Sequence, residues 1–207
     1  MCGRFMLDLD IGNIIGQYKI QKKEVDQYNK GDIFPSQNAP IVYDERNRTL
    51  NLAKWGFPLS GKSSLVINAR SESIESKPMF KNSFTSSRCI IPANLFYEWK
   101  DEGDNNKVKH RIYLKEKSII SLAGVFKFIP DDSGNKELSF VIITTESNKC
   151  MKDLHSRMPL IIENKDLDYW LNKNTPKTRI KKIIKSNLSH EFKIDREDQP
   201  FRQMKLF

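Results

Sequence analysis

Short alternating stretches of apolar and polar residues dominate the chain and predict a protein built mostly of strands. Residues 41–43, 50–54 and 65–67 read this way, followed by 88–91, 96–100 and 108–114, then 118–125 and 138–144. Helical spacing appears at residues 9–18, 71–76, 146–153, 166–171 and 178–187, with Asn164 or Thr178 as caps for the last two. The turn-forming runs Asp101-Glu102-Gly103-Asp104-Asn105-Asn106 and Pro130-Asp131-Asp132-Ser133-Gly134-Asn135 connect strands. Repeats, low-complexity linkers and composition breaks are absent from the sequence. The fold class predicted is α+β: one domain of mixed or antiparallel sheet with peripheral helices.

Composition narrows the picture. A chain of 207 residues fits one domain, and 38% hydrophobic residues suffice for a core. No apolar run approaches the ~20 residues that span a bilayer. The opening Met-Cys-Gly-Arg-Phe-Met-Leu-Asp reaches acid at once, unlike a signal peptide. Cys2, Cys89 and Cys150 are too scattered for a disulfide framework or a zinc site, which points to a reducing, cytoplasmic setting. A net charge of +9 makes polyanions plausible partners. The lysines at 177, 181, 182 and 185 are more simply read as the solvated face of a helix.

The candidate chemistry begins at Cys2. Initiator Met is trimmed when the next residue is small, which would leave an α-amine and a thiol on one residue, both partly nucleophilic near neutrality. An amine condenses with an aldehyde to an imine, and a thiol two atoms away closes on it as a thiazolidine. The plainer reading is an ordinary packed or exposed Cys. In the run Phe96-Tyr97-Glu98-Trp99, strand alternation sets Phe96 and Glu98 on one face and Tyr97 and Trp99 on the other. A carboxylate among aromatics is desolvated and suited to acid–base work, although a strand Glu paired to a lysine fits equally well. His155 stands in an irregular loop with Arg157 two residues on, an arrangement able to hold a phosphate. His110 alternates with apolar residues and reads as packed, and His190 reads as exposed. Asn68 and Arg70 share one side of an extended segment, with Ser71 as a possible helix cap.

Together these residues resemble the SOS response-associated peptidase family, SRAP. The matching segments are Met1-Cys2-Gly3-Arg4-Phe5, Trp55-Gly56-Phe57, Asn68-Ala69-Arg70-Ser71-Glu72-Ser73, Arg88-Cys89-Ile90-Ile91-Pro92-Ala93, Phe96-Tyr97-Glu98-Trp99-Lys100, Ala123-Gly124-Val125 and His155-Ser156-Arg157-Met158-Pro159. They run in family order from residue 1 to about 162, and their joint occurrence is far more specific than any one of them. The basic part from 163 to 207 is expected to pack on the same domain.

The resemblance implies a mostly β domain with a positive cleft, no metal or organic cofactor, and a monomer that binds single-stranded DNA containing abasic sites. By motif position, Cys2 would form a thiazolidine crosslink with the ring-opened sugar, with Asn68 orienting both. Glu98 would move protons in imine formation and crosslink reversal, and His155 would hold the sugar hydroxyl and assist ring opening. Arg4, Arg70 and Arg157 would grip phosphates, and Trp55 would pack near the DNA path. Two segments depart from the family pattern. Gly31-Asp32-Ile33-Phe34-Pro35-Ser36-Gln37 keeps Pro35 but has Phe34 in place of a small residue and Asp32 in place of Asn, and the Trp55-Gly56-Phe57-Pro58-Leu59 run is shortened. Both are thought to line the DNA groove. Lyase-like elimination is open to an imine as well. The rival readings are a thiol autopeptidase or N-terminal-nucleophile hydrolase using Cys2, and a non-catalytic single-strand binder.

Overall fold

Strands buried on both faces read as near-continuous apolar runs, and this chain closes several of them into a ring. The structure, a computed structural model, describes residues 2–59, 61–104, 106–115, 118–130, 134–186 and 190–197. Strand Asn38–Asp44 pairs antiparallel with Arg48–Trp55 on one side and with Arg88–Ala93 on the other. Arg88–Ala93 pairs with Ile120–Pro130, which pairs with Lys136–Glu146. Lys136–Glu146 then returns to Arg48–Trp55 in parallel, through Ser139↔Lys54 and Phe140↔Trp55, and the barrel is closed. Arg88–Ala93 is buried at every position, which explains the unbroken apolar run that follows Arg88.

Alternate residues of these strands feed two cores. Ile41, Trp55, Ile91, Leu122, Phe140 and Ile142 form the inner one. Trp55 lies between Phe5, at 5.2 Å, and Phe140, stacked at 6.1 Å between centroids. Val42, Leu50, Ile90, Val125, Val141 and Ile143 face outward onto the helices, meeting Ile14 and Tyr18 of Ile11–Tyr18, Phe80 and Phe84 of Pro78–Ser86, Trp170 of Leu167–Leu171, and Ile180 and Ile183 of Lys177–Ser186. A second, 5-stranded sheet packs Phe5, Leu7, Ile33, Phe96 and Ile112 onto the inner core. Its order is Phe192–Arg196, Lys107–Leu114, Leu95–Asp101, Phe5–Leu7, Gly31–Ile33.

The α+β expectation holds, and the strands lie where alternation placed them. Two helices do not. Residues 71–76 form successive turns, and the helix is Pro78–Ser86, opened by Pro78 in its first turn. Residues 146–153 are also not a helix. Strand Lys136–Glu146 runs through Glu146, and Asn148 Oδ1 then accepts the Met151 N–H at 3.1 Å, a local side-chain bond that competes with helical pairing. Asn164 opens a short 3-10 turn, Asn164–Asp166, and Thr178 lies inside its helix, so neither is the cap expected. Residue 187 of the last expected helix lies outside the described residues. Among the described residues no helix is long and apolar enough to cross a membrane.

Candidate active site

The site forms where the second sheet meets the barrel. Register Phe5↔Phe96 lays the segment before Phe5 alongside Tyr97–Trp99, and the Tyr97 N–H donates to the Arg4 carbonyl at 3.0 Å. Cys2 is fully buried in the inner core, with its thiol directed at the Arg4 carbonyl at 3.8 Å. Burial pushes the thiol well above its ordinary range, and the negative charge of nearby Glu98 adds to the effect. Asn68 begins strand Asn68–Arg70, which the parallel pairing Ile142↔Asn68 hangs on the barrel. Its side-chain amide donates to the Cys2 carbonyl at 2.9 Å. The other end of that amide, Oδ1, is buried and has no hydrogen-bond partner among the described residues.

Glu98 is 2% exposed, on the same face of Leu95–Asp101 as Phe96. Desolvation raises its carboxyl above the ordinary value, while the positive charge that His155 can carry holds it down. The Nδ1 of His155 accepts the Arg157 backbone N–H at 2.9 Å and lies 3.0 Å from the Arg157 carbonyl. In the neutral ring, accepting at Nδ1 puts the proton on Nε2. His110, Glu98's cross-strand partner, is buried as expected, with Nδ1 2.9 Å from the Val108 carbonyl. Thus Cys2, Asn68, Glu98 and His155, scattered over the chain, lie in one neighbourhood.

The residues expected along DNA divide. Arg70 is exposed and pairs with no carboxylate among the described residues. Arg157 is committed: it forms a two-pronged pair with Glu72 at 2.8 and 3.0 Å and donates to the Thr144 carbonyl at 2.7 Å. Burial pushes the Glu72 carboxyl up, but Arg157 and other donors outweigh it, so the net direction is down. Arg4 pairs with Asp32 at 3.5 Å and lies over the rings of Phe34, Trp99 and Tyr97. Pro35 is half-buried in the turn after Phe34. Trp55 departs from the expectation. It is 0% exposed, its indole N–H donates to the Ile67 carbonyl at 3.0 Å, and it fills the barrel, where no strand of DNA reaches it.

Sequence reasoning missed the acidic partners Asp32 and Glu72. Glu72 and Arg157 are 85 positions apart, so no local spacing links them. Among the described residues no group of three or more His, Cys, Asp or Glu side chains could hold a metal ion.

"Abasic site processing protein YoaM" of Bacillus subtilis (strain 168) is 38% identical over 198 residues, covering 89% of this chain and 85% of that protein. "Abasic site processing protein YoqW" of the same organism is 36% identical over 193 residues, with 89% and 86% covered. A solved protein of Bacteroides thetaiotaomicron shares the fold at a TM-score of 0.81, with 23% identity over 94% of this chain and 91% of that one. The sequence profile of the SOS response associated peptidase family matches residues 1–197, and the chain belongs to that family.

Proposed function

We propose that this protein processes abasic sites in single-stranded DNA and, once Met1 is removed, captures them covalently through Cys2. One observation carries the reading: residues 2, 68, 98 and 155 converge, with the Asn68 amide on the Cys2 backbone and its Oδ1 left to accept one further bond. That oxygen suits a Cys2 amine or a sugar hydroxyl. The names of the relatives point the same way.

In the proposed sequence the Cys2 amine adds to the aldehyde carbon of the ring-opened sugar. Loss of water leaves an imine. The thiol then adds across the C=N bond, sulfur bonding to carbon and the thiol proton passing to nitrogen. Glu98, its carboxyl raised by burial, gives a proton to the departing hydroxyl and takes one back from nitrogen as the imine forms. His155 holds the sugar hydroxyl, and Arg70 holds a flanking phosphate. The same groups run the steps backward in reversal, and elimination from the imine would give lyase-like turnover. A raised thiol pKa disfavours a hydrolase that depends on a standing thiolate, and suits an amine-first route.

The test mixes the protein with abasic and intact oligonucleotides on a denaturing gel and locates the adduct by mass spectrometry. A stable adduct on Cys2 is expected with the abasic strand only. Cys2→Ser should give only a labile imine trapped by borohydride, while Cys89→Ser and Cys150→Ser match the parent. A stable adduct at any other residue would sink the mechanism, as would crosslinking by a chain that keeps Met1.

A further inference from the structure

Phe34 is 37% exposed, one of three large hydrophobic side chains left open among the described residues. Its ring is backed by the Arg4 guanidinium, 4.3 Å from the centroid. Arg4 is itself shared, lying 5.4 Å from the Trp99 ring and 5.5 Å from Tyr97, with Asp32 at 3.5 Å. Tyr97 locks that carboxylate by donating to it at 2.7 Å. With its charge answered by Asp32 and its guanidinium lying over aromatic rings, Arg4 is better placed to stiffen a stack than to grip a phosphate.

The turn carrying Phe34 is tightly held. Its N–H donates to Gln37 Oε1 at 2.9 Å, the Gln37 N–H returns to its carbonyl at 3.2 Å, and the Ser36 N–H donates to the Trp55 carbonyl at 2.8 Å. Ser36 adopts a left-handed φ of 71°, which the surrounding bonds sustain. Extending the register Phe5↔Ile33 by one residue pairs Phe34 with Arg4, two residues from Cys2. Two residues of extended chain span roughly 7 Å, about one step along an unstacked strand.

We propose that Phe34, stiffened by Arg4, is the platform on which an unpaired nucleobase beside the lesion stacks. The inference rests on the single-strand capture proposed above and adds what holds the strand next to it. An aromatic face suits every base, so the platform gives affinity and register and reads no sequence.

The test follows binding of short single-stranded oligonucleotides to the full-length chain by fluorescence anisotropy. The strands are intact or carry one unreactive base-less spacer, moved position by position. Phe34→Ala should weaken binding to the intact strand on the order of tenfold, equally at low and physiological salt, because stacking releases no counterion. At one spacer position Phe34→Ala should cost nothing further, since the stacked base is already gone. Phe34→Tyr should bind like the parent, and Tyr169→Ala, a control at another exposed aromatic backed by an arginine, should not change affinity. A Phe34→Ala strand affinity within about twofold of the parent, a loss uniform at every spacer position, or one that vanishes with added salt overturns the platform. Unfolding midpoints equal to the parent's establish that each variant is folded. A parent that crosslinks abasic DNA while Phe34→Ala binds equally well refutes the platform alone. A parent that stacks yet never crosslinks refutes the capture alone.

Discussion

Gly124 lies in Ile120–Pro130 between Cys89 and Ile142 of the neighbouring strands, on the inner face of the barrel. A β-carbon there would meet Ile91 Cδ1 at 2.5 Å, the Val141 carbonyl oxygen at 2.9 Å and Cys89 Sγ at 3.0 Å. Carbon atoms rest about 3.5–4.0 Å apart, so the Ile91 contact alone overlaps by roughly 1 Å. The Ile91 tip can rotate away, whereas the carbonyl moves only with strand Lys136–Glu146. Gly124→Ala should therefore cost about 2 kcal/mol, within the usual range for overpacking, and lower Tm by roughly 4–8 °C for a chain of this size. Denaturant unfolding measures the first and a thermal melt the second. Ile91→Val removes the Cδ1 atom and should rescue part of the loss, leaving a coupling of about 1 kcal/mol in a double-mutant cycle. A Gly124→Ala cost under about 0.5 kcal/mol, or strict additivity with Ile91→Val, would refute the packing argument.

Three further outcomes follow from the site and its frame. Burial holds the folded Glu98 carboxyl above 4.5, so the stability of its protonated form is full at low pH and is lost as pH rises through the folded value. Glu98→Gln should gain stability relative to the parent across that window in urea titrations, and a difference constant from acid to neutral pH would contradict this. Arg70→Ala should reduce the slope of log affinity against log salt by about 1, while Lys182→Ala leaves the slope alone. Equal effects would mean the binding face is misplaced. Arg88 donates to the carbonyls of Trp170, Phe84, Thr85 and Asn172 at 2.7, 2.8, 3.1 and 2.6 Å, binding together the ends of two helices. Arg88→Met should cost about 3 kcal/mol in unfolding assays, with adduct yield per folded molecule unchanged.

What the sequence made legible was set by the range of the forces involved. The barrel strands were readable because the alternation of side chains along a strand is a local pattern, as in residues 50–54. The shortest strands of the second sheet were not. Phe5–Leu7 and Gly31–Ile33 are three residues each, too short for a period; Phe5–Leu7 forms on the template of the long strand Leu95–Asp101, and Gly31–Ile33 pairs in turn with Phe5–Leu7. The helix Pro78–Ser86 was not read at all, although Pro78 in its first turn could have marked it, and residues 71–76, which show helical spacing, form only successive turns. At the site, the aromatic neighbours of Glu98 allowed desolvation or a lysine pair equally, and its place at 2% exposure decided for burial. Trp55's burial did not follow from its motif, because only closure of the barrel decides which side of a Trp faces water. The carboxylates answering Arg4 and Arg157 depend wholly on tertiary pairing.

Closure of the barrel also orders events in time. The parallel contact of Phe140 with Trp55 joins segments distant along the chain, and such contacts form late because the intervening loop must be ordered first. The strand that makes this contact, Lys136–Glu146, is the one on which Asn68 hangs through Ile142. His155 lies further on still. Cys2 is thus synthesised well before its partners, and the pocket around it is completed only when the last barrel strand is in place. A growing or misfolded chain carries the thiol without Asn68, Glu98 and His155 gathered at it, so the capture proposed for Cys2 would be coupled to complete folding.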